Sequence, residues 1–213
     1  GTVRILDLID FSRLQENPKW IAGYSDVTAL HSTLNNLRIS SLHSTMPINF
    51  SSNTNNSLHS LKKALFGAKI SYNFPKNELN RIGETQGEVI GGNLSIICSL
   101  IGSNSDTKTD GKILFLEDLD EYLYHLDRMM MSLKRNGKLS NLSGLLVGAI
   151  SDMNDNTIPF GQSGFEIIAK AVSEYNYPVA FNFPAGHIDD NNAILLGQTA
   201  ELSIQSSYSS LIF

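Results

Sequence analysis

A chain of 213 residues is long enough for one large domain or two small ones, and at this length about 70% or more of the unfolded surface is buried on folding, so the core needs no staples. The single cysteine, Cys98, excludes an internal disulfide and fits a reducing, cytoplasmic setting. The formal net charge is −5, with the only basic cluster in LKRNGK at 133–138, which argues against a nucleic-acid partner, and no apolar run reaches the length of roughly 18–20 residues that a bilayer span needs.

The opening, GTVRILDLIDF, starts in mid-pattern. Beyond it the chain alternates strand and helix. KWIAGY (19–24) reads as a strand, DVTALHSTLNNL (26–37) as a helix and RISSLHS (38–44) as a second strand. NSLHSLKKALFG (56–67) reads as a second helix and AKISYNF (68–74) as a third strand. This βαβαβ rhythm predicts a parallel sheet covered by helices, though two crossovers make an incomplete one. NFPKNELNRIGETQ (73–86) is polar, carries Pro75 and Gly83, and reads as a linker.

After the linker, GEVIGG (87–92) leads into a helix at NLSIICSLIG (93–102), and GKILFLED (111–118) is a strand. DEYLYHLDRMMMSLKRNG (120–137) has Leu123, Leu126, Met130 and Leu133 at helical spacing. LSGLLVGAI (142–150) is an apolar strand and GFEIIAKAVSEY (164–175) a helix. PVAFNF (178–183), AILLG (193–197) and AELSIQS (200–206) read as three closing strands.

The candidate chemistry starts at WIAGYSDVTALH, where a strand gives way to a helix at Gly23-Tyr24-Ser25-Asp26. A serine on such a turn is either a helix cap or a nucleophile lifted clear of the sheet, with the next backbone N–H aimed at a developing oxyanion. Nucleophilic use needs a base and a group that orients it. His31 lies further along the same helix, His59 and His125 sit within helical runs, and His43 ends a strand. His187, in the loop FPAGHIDDN after a strand, leads among the five. Glu117 and Asp118 close the apolar run Ile113–Leu116, where a buried carboxylate needs a partner; spacing alone does not choose between them. No Cys/His spacing suits zinc, and the 152–156 stretch departs from a calcium loop at its turn glycine and its last ligand position. No dinucleotide or P-loop fingerprint is present, so no cofactor is expected. Gly161-Gln162-Ser163-Gly164 reads as a helix cap.

Together RILDLIDF (4–11), PKWIAGYSDVTALH (18–31), LHSTMP (42–47), GEVIGGNLS (87–95), ILFLEDLDEYLYHLDRM (113–129), DNTIPFG (155–161) and PVAFNFPAGH (178–187) resemble the LD-carboxypeptidase family, which includes muramoyltetrapeptide carboxypeptidases and microcin-C-immunity-type peptidases. The resemblance implies an α/β fold: an incomplete flavodoxin-like parallel-sheet domain over 1–72, a linker over 73–86, and a smaller swivelling β/α domain over 87–213. It implies a Ser-Glu-His triad of Ser25, Glu117 and His187, with the backbone N–H of Asp26 in the oxyanion hole. It also implies that the family's glycine-rich segment before R-I-L, with a second oxyanion donor, is represented here only by Gly1. Losing one such donor typically costs about 3–4 kcal/mol of transition-state stabilisation. The family often has H-G-P-M where this chain has His43-Ser44-Thr45-Met46.

The implied reaction is metal-independent hydrolysis of the amide to the terminal D-alanine of a murein tetrapeptide, in cell-wall recycling, by a cytoplasmic homodimer. The helix start at Gly91-Gly92-Asn93 is a candidate seat for the substrate's free carboxylate. The alternatives are a same-family amidase acting on an aminoacyl-nucleotide conjugate, a generic α/β-hydrolase esterase, and a non-catalytic muropeptide-binding module.

Overall fold

The computed structural model describes residues 1–213. In chain order the elements are α1 (Ser12–Glu16), β1 (Ala22–Gly23), α2 (Thr28–Asn36), β2 (Ser41–His43), α3 (Asn55–Leu65), β3 (Ser71–Pro75), β4 (Gly83–Asn93), α4 (Leu94–Leu100), β5 (Ile113–Leu119), α5 (Leu123–Arg135), β6 (Gly144–Ser151), α6 (Gly164–Ala171), β7 (Val179–Ala180), β8 (Ile194–Leu196), β9 (Thr199–Ile204) and β10 (Tyr208–Ile212). They form a mixed α/β structure with two sheets. β1, β2 and β8 make a three-stranded sheet in that order, and the other seven strands run β3-β10-β9-β4-β5-β6-β7. No helix is long and apolar enough to cross a membrane.

The parallel part of the large sheet follows from three successive βαβ units. β4 pairs with β5, β5 with β6 and β6 with β7, all parallel, with α4, α5 and α6 as the crossovers. Strand β5 shows why both faces must be covered. Its side chains alternate, so Leu114 and Leu116 enter a core cluster with Leu94 and Ile97 of α4, Leu126, Met129, Met130 and Leu133 of α5, and Ile167 and Ile168 of α6. Ile113 and Phe115 enter the cluster on the opposite face with Val89, Leu146, Phe183, Ile194 and Leu202. The helical spacing expected in α5 is the row that faces the first of these clusters.

The first sheet starts as expected, with β1 parallel to β2 and α2 between them. It then departs from the sequence reading. The strand expected to be its third, β3, pairs antiparallel with β10 at the edge of the large sheet. Tyr72 and Phe74 of β3 pack edge-on against Phe183, at 5.4 and 5.2 Å between ring centroids, which ties the strand to the large core. The third strand of the small sheet is instead β8, antiparallel to β2.

The linker expected over 73–86 is strand at both ends, since β3 runs to Pro75 and β4 starts at Gly83. The residues of β4 before Val89 alternate in burial and pair antiparallel with β9, so their polar side chains occupy one sheet face rather than a free connection. A boundary at 72–73 therefore cuts through β3. The strand at 208–212 had no counterpart in the sequence reading; it inserts between β3 and β9.

Candidate active site

Four segments bring their residues together at the carboxyl ends of parallel strands, where open α/β sheets place ligands. Ser25 follows β1, His43 ends β2, Glu117 lies near the end of β5, and His187 is in the loop after β7.

Ser25 has φ +60°, a left-handed conformation that a non-glycine residue holds only where its surroundings enforce it. The preceding residue, Tyr24, is extended, and a 3-10 turn over Ser25–Val27 leads into α2. That is the strand–turn–helix elbow expected from the sequence. The Asp26 N–H opens the turn, where it has no partner inside the helix. The Asp26 carboxylate accepts hydrogen bonds from the Thr2 N–H and hydroxyl, both at 2.7 Å, which hold it below the ordinary carboxylate range and pin the start of the chain to the elbow.

The elbow rests on a residue whose role the sequence did not disclose. His31 is fully buried beneath it, with Nε2 3.0 Å from the Gly23 carbonyl and Nδ1 2.8 Å from Ser41 Oγ. A carbonyl only accepts, so Nε2 carries the proton and the Ser41 hydroxyl donates to Nδ1. Burial drives the imidazole pKa down to about 3, partly opposed by the Gly23 bond, so the ring is neutral. His31 thus lies under the elbow's backbone and not at its tip.

Glu117 is completely buried, and its Oε2 is 2.7 Å from His187 Nδ1. Burial alone would raise the Glu117 pKa. The hydrogen bond from His187, with the nearby His43 imidazole, outweighs it and brings the pKa to about 2. An ionised carboxylate only accepts, so Nδ1 of His187 bears the proton and Nε2 of the neutral ring is left as the basic nitrogen. Tyr24 packs edge-on against His187 at 4.7 Å and against His43 at 6.2 Å, which places Ser25 one residue from a ring that touches both. Ser25 Oγ makes no hydrogen bond to His187 in this structure; nucleophile–base contacts are often longer without substrate and tighten when it binds.

The His187 loop is held by backbone and by α3. Gly186, at φ +117°, lies so close to Glu117 that a Cβ there would sit 2.9 Å from Glu117 Cβ and 3.0 Å from Oε2. The Gly186 N–H donates to Asn191 Oδ1 at 3.0 Å, and the Ser57 hydroxyl donates to the Asn191 carbonyl at 2.8 Å. Ser60 Oγ accepts from Ala193 N–H at 2.9 Å, and the Thr54 N–H donates to the Asp189 carbonyl at 3.0 Å.

Alternation along β5 separates the two acids. Glu117 continues the Phe115 row toward the histidines. Asp118 points to the other side, where it accepts from Asn93 Nδ2, the Ser95 N–H and the Leu119 N–H, each at 2.9 Å. Burial raises its pKa to about 6 against the pull of these bonds. This corrects the expected carboxylate seat at Gly91-Gly92-Asn93. All three residues are buried. The Asn93 N–H donates to Thr28 Oγ1, Asn93 Oδ1 caps the Ile96 N–H, and the Ser95 N–H already serves Asp118. The helix start holds the protein's own carboxylate, and its Ser95 and Ile96 N–H groups are already taken.

The remaining candidates are structural. His59 is exposed, and His125 is half-buried and pairs with Glu121 one helical turn earlier. Ser163 caps α6 in a reciprocal box with Glu166, as its sequence context suggested. Cys98 is half-buried, and burial, with the Asp118 charge, pushes its thiol up to about 12. No group of three or more His, Cys, Asp or Glu is arranged to hold a metal ion.

The chain is similar to known proteins in sequence and in fold. Residues 86–202 match the LD-carboxypeptidase C-terminal domain, and residues 1–44 match the N-terminal domain of the same family. A probable murein peptide carboxypeptidase of Bacillus subtilis is 32% identical over 95% of this chain, which spans 66% of that relative's length. The crystal structure of muramoyltetrapeptide carboxypeptidase from Oxalobacter formigenes superposes with a TM-score of 0.91 at 24% identity, over 99% of this chain and 74% of that one. The microcin C7 self-immunity protein MccF, in complex with aspartyl sulfamoyl adenosine, gives a TM-score of 0.81 at 20% identity, over 98% and 72% of the two chains. With the C-terminal domain profile covering more than half its residues, the chain belongs to the LD-carboxypeptidase family.

Proposed function

We propose that the chain carries the catalytic residues of a serine-type carboxypeptidase that hydrolyses the amide to the terminal D-alanine of murein tetrapeptides. The observation that carries this reading is the hydrogen bond from partly exposed His187 to the buried Glu117 carboxylate, with a serine held at positive φ on the neighbouring elbow. His187 Nε2 takes the Ser25 proton as Oγ attacks the carbonyl of the third residue, and then gives that proton to the leaving D-alanine amine. Glu117 keeps the proton on Nδ1 and stabilises the imidazolium that forms. The Asp26 N–H donates to the oxyanion. Water, deprotonated by His187, then hydrolyses the acyl-serine and frees the enzyme.

The murein substrate is suggested by the names of the relatives and by the shared fold. A cytoplasmic place in cell-wall recycling and a homodimeric state belong to the same proposal. The test is D-alanine release from a murein tetrapeptide by the natural full-length protein and its Ser25→Ala variant. The variant should lose roughly 10⁴-fold or more in kcat. Equal release by both would remove Ser25 from the mechanism, and no release by either would remove the murein substrate.

A further inference from the structure

His43 is the central strand's contribution to the site, and the proposed mechanism gives it nothing to do. It ends β2, paired with Gly23 of the elbow strand on one side and with Ile194, just past the His187 loop, on the other. The side chain is completely buried, so it cannot reach a substrate. Phe115 packs edge-on against its ring at 4.8 Å and Tyr24 at 6.2 Å, which fixes the ring plane. Neither ring nitrogen has a hydrogen-bond partner.

A second unpartnered polar atom faces it. Glu117 gives Oε2 to His187, while its buried Oε1 has no partner and lies 3.9 Å from His43 Nε2. Buried polar groups are almost always paired, and these two are complementary: an acceptor-only oxygen opposite a nitrogen that can carry a proton. The gap is slightly too long for a hydrogen bond, and a small turn of the carboxylate closes it.

We propose that His43 is a positioning residue for the catalytic acid: its neutral ring, protonated at Nε2, donates to Glu117 Oε1 and so holds Oε2 in line with His187 Nδ1. Glu117 is then clamped between two imidazoles, one fixing it and one oriented by it. The same donor favours the ionised acid in a site where burial opposes charge. The other groups around Glu117 do not supply this bond. Tyr24 comes from the elbow, Asp118 faces the other side of β5, and Asn93 on β4 is committed to Asp118.

The inference rests on the triad reading, and its test needs no turnover, so it can fail while the substrate assignment stands, or survive if that assignment fails. In the wild-type chain, ¹⁵N NMR of His43 should show the proton on Nε2; a bare Nε2 with the proton on Nδ1 overturns the proposal whether or not any variant folds. The Glu117 carboxyl is then followed by ¹³C NMR through the acid range in which the chain stays folded. His43→Phe, which keeps the packing and removes the donor, should raise the Glu117 midpoint by roughly one pH unit. His43→Gln, which restores an N–H donor, should bring it back toward wild type. An unchanged midpoint in folded His43→Phe would show that His43 only fills space.

Discussion

The site is built from residues in costly states, each held by a specific neighbour. Ser25 sits at φ +60°, His31 is neutral and fully buried under the elbow, and Glu117 is ionised without solvent. His31 has a consequence that can be measured. Its folded pKa of about 3 lies below the ordinary histidine value near 6.5, so the unfolded chain binds the extra proton between these limits. The stabilisation is therefore complete above pH 6.5 and is lost as pH falls through that window, with a slope of ~1.4 kcal/mol per pH unit from this one group. Asp118, whose pKa burial raises to about 6, gives a slope of opposite sign below that pH, so the contribution is read as a difference: in urea denaturation between pH 6.5 and 5, His31→Leu should lower the wild-type slope by roughly that amount. The same slope in the variant would mean that another group is responsible.

At this scale Ser25 and His187 were legible as candidates, because both follow strands at turns where a scaffold can present a side chain, although the turn alone suits a capping serine equally well. The choice of Glu117 over Asp118 was not. Alternation states that the two face opposite ways, but only the fold states which face meets the histidines. His31 escaped because its partners, the Gly23 carbonyl and the Ser41 hydroxyl, come from two different strands, β1 and β2.

Among the elements, those with strong periodicity were read most faithfully. The row at 126, 130 and 133 became the buried face of α5, packed against Leu114, Leu116 and α6. Leu126 is fully buried there, so Leu126→Ala should destabilise the chain by about 2–5 kcal/mol, read as a lower urea midpoint with little change in slope. A loss below about 1 kcal/mol would contradict the packing described, since buried leucine truncations cost more than that. The misread elements were those whose identity depends on a distant partner. β3 looks like a continuation of the preceding βαβα pattern, yet its partner is β10, more than 130 residues later. The polar stretch before Val89 resembled a linker because one face of an antiparallel strand carries the charges.

On the scale of the whole molecule, the two sheets exchange strands. β8 returns from the carboxyl-terminal half to complete the small sheet, while β3 leaves the amino-terminal half for the large one. This exchange positions the site. Ser25 and His43 come from the small sheet, Glu117 comes from the large one, and the His187 loop runs between β7 of the large sheet and β8 of the small one. Hydrogen bonds donated by Thr54 and Ser57 and accepted by Ser60, in and just before α3, secure that loop. The chain order of the three catalytic candidates was visible in the sequence, but their convergence required the strand exchange, which no local pattern encodes.

The measurement that addresses the central claim most directly is the location of the acyl group. The natural full-length protein is mixed with a murein tetrapeptide, quenched in acid within one turnover, digested and mapped by mass spectrometry. The account predicts a tripeptide acyl group on the fragment containing Ser25, formed as one D-alanine is released, and absent in Ser25→Ala. An acyl group on any other residue, or D-alanine release at the wild-type rate by Ser25→Ala, would contradict it.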